Sequence, residues 1–124
     1  MFFKLTANRR LYRILFILWS ILLFTLTSYP KLSSPPIGIT SFDKFAHFFF
    51  YFVFALFFVK MHDPLALKST LNKTLIIALV VPLADELHQI PIPGRDFSIW
   101  DIAADLLGIS LILIIFRYRL KKLR

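Results

Sequence analysis

Apolar residues in this chain come in long runs rather than at amphipathic spacing. That is the pattern of segments that meet lipid on most sides. Four runs predict four membrane-spanning helices, roughly over 11–29, 42–60, 71–90 and 98–117. The first contains ILFILWSILLFTLTSY, after a short basic segment. No A-x-A-like site follows it, and Pro30 and Lys31 come directly after, so it reads as a retained span rather than a cleaved signal. Arg13 is expected to snorkel to the interface. Segment 30–41 holds three Pro, one Gly and three Ser, which forbid a regular helix and mark a loop. The segment MHDPLALKSTLNK reads as a polar turn around Pro64. Pro82 lies inside the third run, where it removes a helix hydrogen bond and is expected to kink the helix. The loop PIPGRD, with Pro93 and Gly94, reverses the chain. The expected fold is all-α: one domain over 1–124, built as a four-transmembrane-helix bundle.

Composition agrees with this pattern. The 124 residues leave room for one domain, and 58% are hydrophobic, fifteen of them Phe. A soluble domain of this size cannot cover that much apolar surface. Cys is absent, so there is no disulfide framework, thiol nucleophile or thiolate metal site. The net charge of +8 sits at span ends, and no nucleic-acid module is recognisable. Membrane lipids with anionic headgroups are the expected partner, and nucleic acid is not. Twelve basic residues fall before the first span, between spans two and three, and after span four; Lys31, Lys44 and Arg95 fall on the other side. The positive-inside rule then puts both termini in the cytoplasm.

Against this background one stretch stands out. Ala84 to Asp105 carries five of the seven carboxylates: Asp85, Glu86, Asp96, Asp101 and Asp105. Both flanks are almost purely apolar, and the topology above makes the stretch extracytoplasmic. Asp43 and His47 are four apart at the start of span two, and Tyr51 continues their face. At the end of span three, Asp85, His88 and Gln89 share a face, and Glu86 points elsewhere. In span four, Asp101 and Asp105 are four apart, and Gly108 extends their stripe as a close-approach point between helices. Asp105 lies about 10 Å along the axis from Ser98. A carboxylate that deep is expected to face the bundle interior and to find a partner or become protonated, and Arg95, Lys44, His47 and His88 are the nearest basic candidates.

Each element also has a plain structural reading. Thr40-x-x-Asp43 and Ser98-x-x-Asp101 both fit a capping box. His47 fits a simple hydrogen bond to Asp43 or a carbonyl. Arg95 fits neutralisation of Asp96 or a lipid phosphate, and the loop prolines fit a turn. Capping does not account for Asp85 and Glu86, which fall where the helix dipole disfavours anions, nor for Asp105. These placements favour a binding or chemical site. A metal set drawn from His47, His88, Asp85, Glu86 and Asp101 is chemically open, but no single element has HExxH-like spacing; neither a metal nor a cofactor is expected.

DKFAHFFFYFVFALFF followed by ADELHQIPIPGRDFSIWDIAADLLG resembles the VanZ-like family of small bacterial membrane proteins. The family pattern falls on Asp43, Lys44, His47 and Tyr51; on Asp85, Glu86, Gln89, Pro93, Gly94 and Arg95; and on Asp101, Asp105 and Gly108. The family usually carries Asn where this chain has Asp105, so charge or a titratable proton replaces an amide there. The resemblance implies the bacterial plasma membrane, a link to the cell envelope and to teicoplanin susceptibility, and a lipid-linked envelope precursor or anionic polymer as partner.

Three functions are open on these residues. The first is binding of a polar envelope component, with Arg95 and Lys44 on anionic groups and the acids on hydroxyls or amines. The ligand set would be Asp43, Lys44, His47, Tyr51, Asp85, Glu86, Gln89, Arg95, Asp101 and Asp105. The second is a membrane-embedded hydrolase or transferase, with Asp85 or Glu86 as acid or base, His47 shuttling protons and Arg95 stabilising an anionic transition state. The third is a structural or assembly subunit in which the charges only lock helices together.

Overall fold

The computed structural model describes residues 8–30 and 39–122, which form four α-helices and one short 3-10 turn. Helix α1 is Arg9–Ser28, α2 is Ile39–Lys60, α3 is Leu67–Gln89 and α4 is Ile99–Lys122. All four are long and apolar enough to cross a membrane. The all-helical expectation is met. Several ends differ from the hydrophobic runs, because a helix continues where its backbone can still pair and does not stop where side chains turn polar. Thus α3 starts at Leu67 straight after the 3-10 turn Pro64–Ala66, which shortens the expected polar turn. The basic tail continues α4 to Lys122. The expected loop at 30–41 yields its last residues to α2, which begins at Ile39, so Asp43 is not in a first turn. Lys4, Lys31, Ser34 and Arg124, and the side chain of Thr40, lie outside the described residues.

Contacts define the helix directions. Tyr12 meets Phe57, Phe16 meets Phe54 and Trp19 meets Phe50, so α1 and α2 are antiparallel. The Trp19 indole also donates to the Phe50 carbonyl at 2.9 Å, which satisfies its polar atom inside an apolar contact. Lys44 pairs with Asp101 and His47 with Asp105, so α2 and α4 run parallel at the bundle centre. The core lies between them and α3: Tyr51, Ala55, Leu71, Ile109, Ile112 and Phe116 are almost completely buried. Helix α1 contributes only Leu23 to the buried set and is peripheral.

Gly108 permits the central contact. A Cβ built there would stand 2.3 Å from the Phe48 carbonyl oxygen and 2.9 Å from the Phe52 nitrogen, both backbone atoms of α2. The predicted close approach is therefore present, and it brings Asp101 and Asp105 within reach of α2. Pro82 lies buried inside α3. Gly94 has φ 75°, a left-handed conformation that favours glycine, in the turn between α3 and α4.

Several hydroxyl side chains within the spans bond to their own helix. Ser20 donates to Phe16, Thr25 to Ile21 and Thr74 to Thr70, each to the carbonyl four residues back. Tyr29, Trp100 and Tyr118, strongly exposed near helix ends, are placed as an aromatic belt requires.

Candidate functional site

One end of the bundle gathers the carboxylates. It comprises the end of α1, the starts of α2 and α4, and the end of α3. The opposite end carries the basic majority, with Arg9 bonded to Asp63 at 3.0 Å and Lys60 to the Tyr12 hydroxyl at 3.2 Å.

At the acidic end, His47 links the two central helices. Its Nδ1 lies 2.9 Å from Asp105 Oδ1, and its Nε2 lies 3.6 Å from Asp101 Oδ2. Asp105 is 0% exposed, as its depth in α4 predicted, and His47 is the partner it needs. Lys44 is ion-paired to Asp101 and lies 3.6 Å from Asp43, so one ammonium serves two carboxylates. On the other side of the core, the Tyr51 hydroxyl donates to Asp85 at 3.0 Å.

Glu86 overturns a reading of faces. It is 0% exposed and faces inward with Asp85 and Gln89, whereas His88 is exposed. The buried positions of this part of α3 are Pro82, Asp85, Glu86 and Gln89, an i, i+3, i+4, i+7 stripe that includes Glu86 and leaves out His88. His88 instead bonds Ser28 at 2.8 Å and stacks on Phe24, both on α1. Glu86 Oε2 accepts the Ser98 backbone N–H at 2.8 Å. The Ser98 hydroxyl in turn accepts from the Asp101 N–H at 3.3 Å. The expected capping box is therefore split: Ser98 caps α4, but the reciprocal acid is Glu86 from α3. Asp101 is left for Lys44 and His47.

This arrangement also changes what the acids mean. On its own helix Glu86 is at the disfavoured C-terminal end. On α4 it sits at the N-terminus, where the dipole favours an anion. Replacing Glu86 by Leu leaves the Ser98 N–H unpaired and should lower stability by about 1–3 kcal/mol, with Glu86→Gln milder because its amide oxygen still accepts. Thermal unfolding in detergent measures both.

Arg95 likewise has a structural task. Its Nη2 donates to the Leu26 carbonyl at 2.8 Å and its Nε to the Tyr29 carbonyl at 3.2 Å, closing the C-terminal end of α1. Among the described contacts it is bonded to α1 rather than to Asp96, which is exposed.

A cleft of about 200 Å³ opens between α1 and α2. Leu23, Leu26 and Phe50 supply its apolar wall, and Asp43, His47, Tyr51 and Arg95 its polar groups. Asp85, Glu86, Gln89 and Asp105 belong to the bundle interior behind this lining. There Glu86 Oε1, Gln89 Nε2 and Asp105 Oδ2 are buried without a protein partner. The share of α1 in the cleft is not apparent in the sequence. Leu23, Leu26 and Thr27 have i, i+3, i+4 spacing, but every face of that helix is apolar enough to hide it.

Asp43, His47 and Asp101 each offer one ligand atom within 4.8 Å of the others, a set able to hold a metal ion. Lys44 is paired to both acids of that set and supplies the same positive charge from within the chain. The trio differs from the set considered on sequence, because Asp43 joins it and His88, Asp85 and Glu86 do not.

Comparison with known proteins agrees with the motif reading. The family model described as VanZ/LLP1 matches residues 2–121. "Uncharacterized protein C11E3.10" of Schizosaccharomyces pombe is 32% identical over 73% of this chain and 59% of its own length. The chain thus spans about three-fifths of that curated relative. No solved structure matches. A fission yeast relative takes the family beyond bacteria, so membership alone does not assign a bacterial membrane. With four helices able to span a bilayer and a family match over almost its whole length, the chain belongs to the VanZ/LLP1 family of multi-pass membrane proteins.

Proposed function

We propose that the α1–α2 cleft binds the polar head of a lipid-linked envelope component. The cleft faces the extracytoplasmic side, in the bacterial plasma membrane implied by the motif resemblance. One observation carries this reading: an apolar wall of Leu23, Leu26 and Phe50 meets Asp43, His47 and Arg95 in a single cleft. Such a junction suits a molecule with an apolar tail and a hydroxyl- or amine-bearing head on an anionic linkage. Asp43 accepts from the head, and Arg95, half-buried beside it, provides positive charge for the anionic part. Lys44, bound to two acids, has less to offer an anion than its sequence position suggested. The basic majority at the opposite end supports the orientation.

The test uses the full chain purified from its own membrane. Asp43→Asn, which alters charge with almost no change of volume, should reduce the co-purifying polar lipid about tenfold by mass spectrometry. Unchanged recovery sinks the proposal. Because the chain lacks Cys, single substitutions report topology cleanly. An impermeant maleimide should label Asp96→Cys from outside and spare Lys68→Cys; the reverse overturns the orientation.

The hydrolase or transferase reading is favoured by a separate observation. His47 is held through Nδ1 by the buried Asp105, the way a carboxylate orients a histidine base. On that reading, His47→Gln retains lipid and loses turnover.

A further inference from the structure

The opposite end of the bundle carries a second cleft, of about 260 Å³, between the start of α3 and the end of α4. Its lining has an internal regularity. Lys68, Leu71 and Asn72 on α3 face Arg117, Leu120 and Lys121 on α4. Both triplets have i, i+3, i+4 spacing, so each helix presents one face: an outer cation, a leucine floor and a polar group. Leu71 is 1% exposed, which gives the cleft a true apolar base.

Three cations converge there without an acid. Among the described residues Asp63 is the one carboxylate at this end, and Arg9 holds it. Among the described residues, no hydrogen bond or ion pair engages the side chain of Lys68, Arg117 or Lys121. Helix electrostatics explain only part of this. Cations in the last turn of α4 complement its C-terminal dipole. Lys68 is the opposite case: it lies in the first turn of α3, where the dipole disfavours a cation and where no acid is present. An anion between the helices removes that mismatch.

We propose that this cleft binds the phosphate of an anionic membrane lipid, with Lys68, Arg117 and Lys121 around the phosphate. The headgroup is the expected source because the cleft lies at the ends of two spans, with Leu71 and Leu120 turned to the same space. Basic pockets between membrane helices are suited to such headgroups. The site is independent of the acidic end and of any ligand bound there.

The experiment is native mass spectrometry of the full chain, released from mixed micelles containing phosphatidylglycerol and phosphatidylcholine. Wild type should retain phosphatidylglycerol preferentially. Lys68→Gln and Arg117→Gln should each reduce retention about fivefold, given the known contribution of one cation at a lipid surface. Lys68→Arg should preserve retention, and Lys73→Gln, an exposed basic residue outside the cleft, should leave it unchanged. An equal loss in Lys73→Gln overturns the proposal in favour of diffuse charge. Equal retention of phosphatidylcholine overturns it too, as does displacement of the lipid by millimolar inorganic phosphate, which assigns the cleft to a free anion. Because Lys68→Arg keeps both charge and fold, loss of retention there also counts against the site.

Discussion

Gly108→Ala is expected to lower the thermal unfolding midpoint of the detergent-solubilised protein more than any other single-methyl change in α4. The added Cβ stands 2.3 Å from the Phe48 carbonyl oxygen, and 2.9 Å from the Phe52 nitrogen. Neither is a side-chain end that can rotate away. Relief requires the central helices to separate, and that loosens Tyr51, Ile109 and Ile112 between them. Overpacking of this kind costs about 1–3 kcal/mol, and contact with backbone favours the upper part of that range. Gly108→Leu should prevent assembly. Leu107→Ala is the control, because Leu107 is 65% exposed and faces lipid. If Gly108→Ala unfolds with wild type, the close α2–α4 pairing is wrong. The acidic site then loses its geometry as well, since that pairing brings Asp105 to His47.

What the sequence reveals here depends on whether a residue's partner is on the same helix. Four spans are legible because lipid imposes one strong length and polarity rule on each of them separately. Asp43, His47 and Tyr51 are legible as a face because one helix repeats them at spacing four. Gly108 is legible because a glycine extending a charged stripe has few other uses. Glu86 is not. Its partner is the Ser98 N–H on the next helix, and no periodicity within α3 encodes that bond. Arg95 is hidden for the same reason: two carbonyls of α1, far away in the chain, decide its role. Both attract a functional reading, and both also join helices, Arg95 while it lines the cleft. The cross-helix bonds account for much of the charge in Ala84–Asp105. They narrow the functional question to the cleft, where Asp43, His47 and Arg95 stand beside an apolar wall.

His47→Ala is expected to destabilise the protein most among changes at the acidic end, and Asp105 is the reason. Asp105 Oδ2 already lacks a protein partner, and His47 Nδ1 at 2.9 Å is the contact of the other oxygen. Removing the imidazole leaves a fully buried carboxylate with neither charge nor hydrogen bond to compensate it. Breaking one side of such a pair costs about 3–5 kcal/mol. Asp105→Asn alone should cost about 1 kcal/mol, since an amide oxygen still accepts from the ring and no buried charge remains. Combining His47→Ala with Asp105→Asn should therefore recover more than half of the loss, because the uncompensated charge has gone while the cavity left by the ring stays. Unfolding midpoints of the four proteins in one detergent measure the coupling. Additive losses would mean that His47 serves the bundle by filling space, and the orienting role of Asp105 would fall with it. A rescue in stability without a rescue of lipid retention would separate the two tasks of this histidine: holding α2 to α4, and presenting a nitrogen to the cleft.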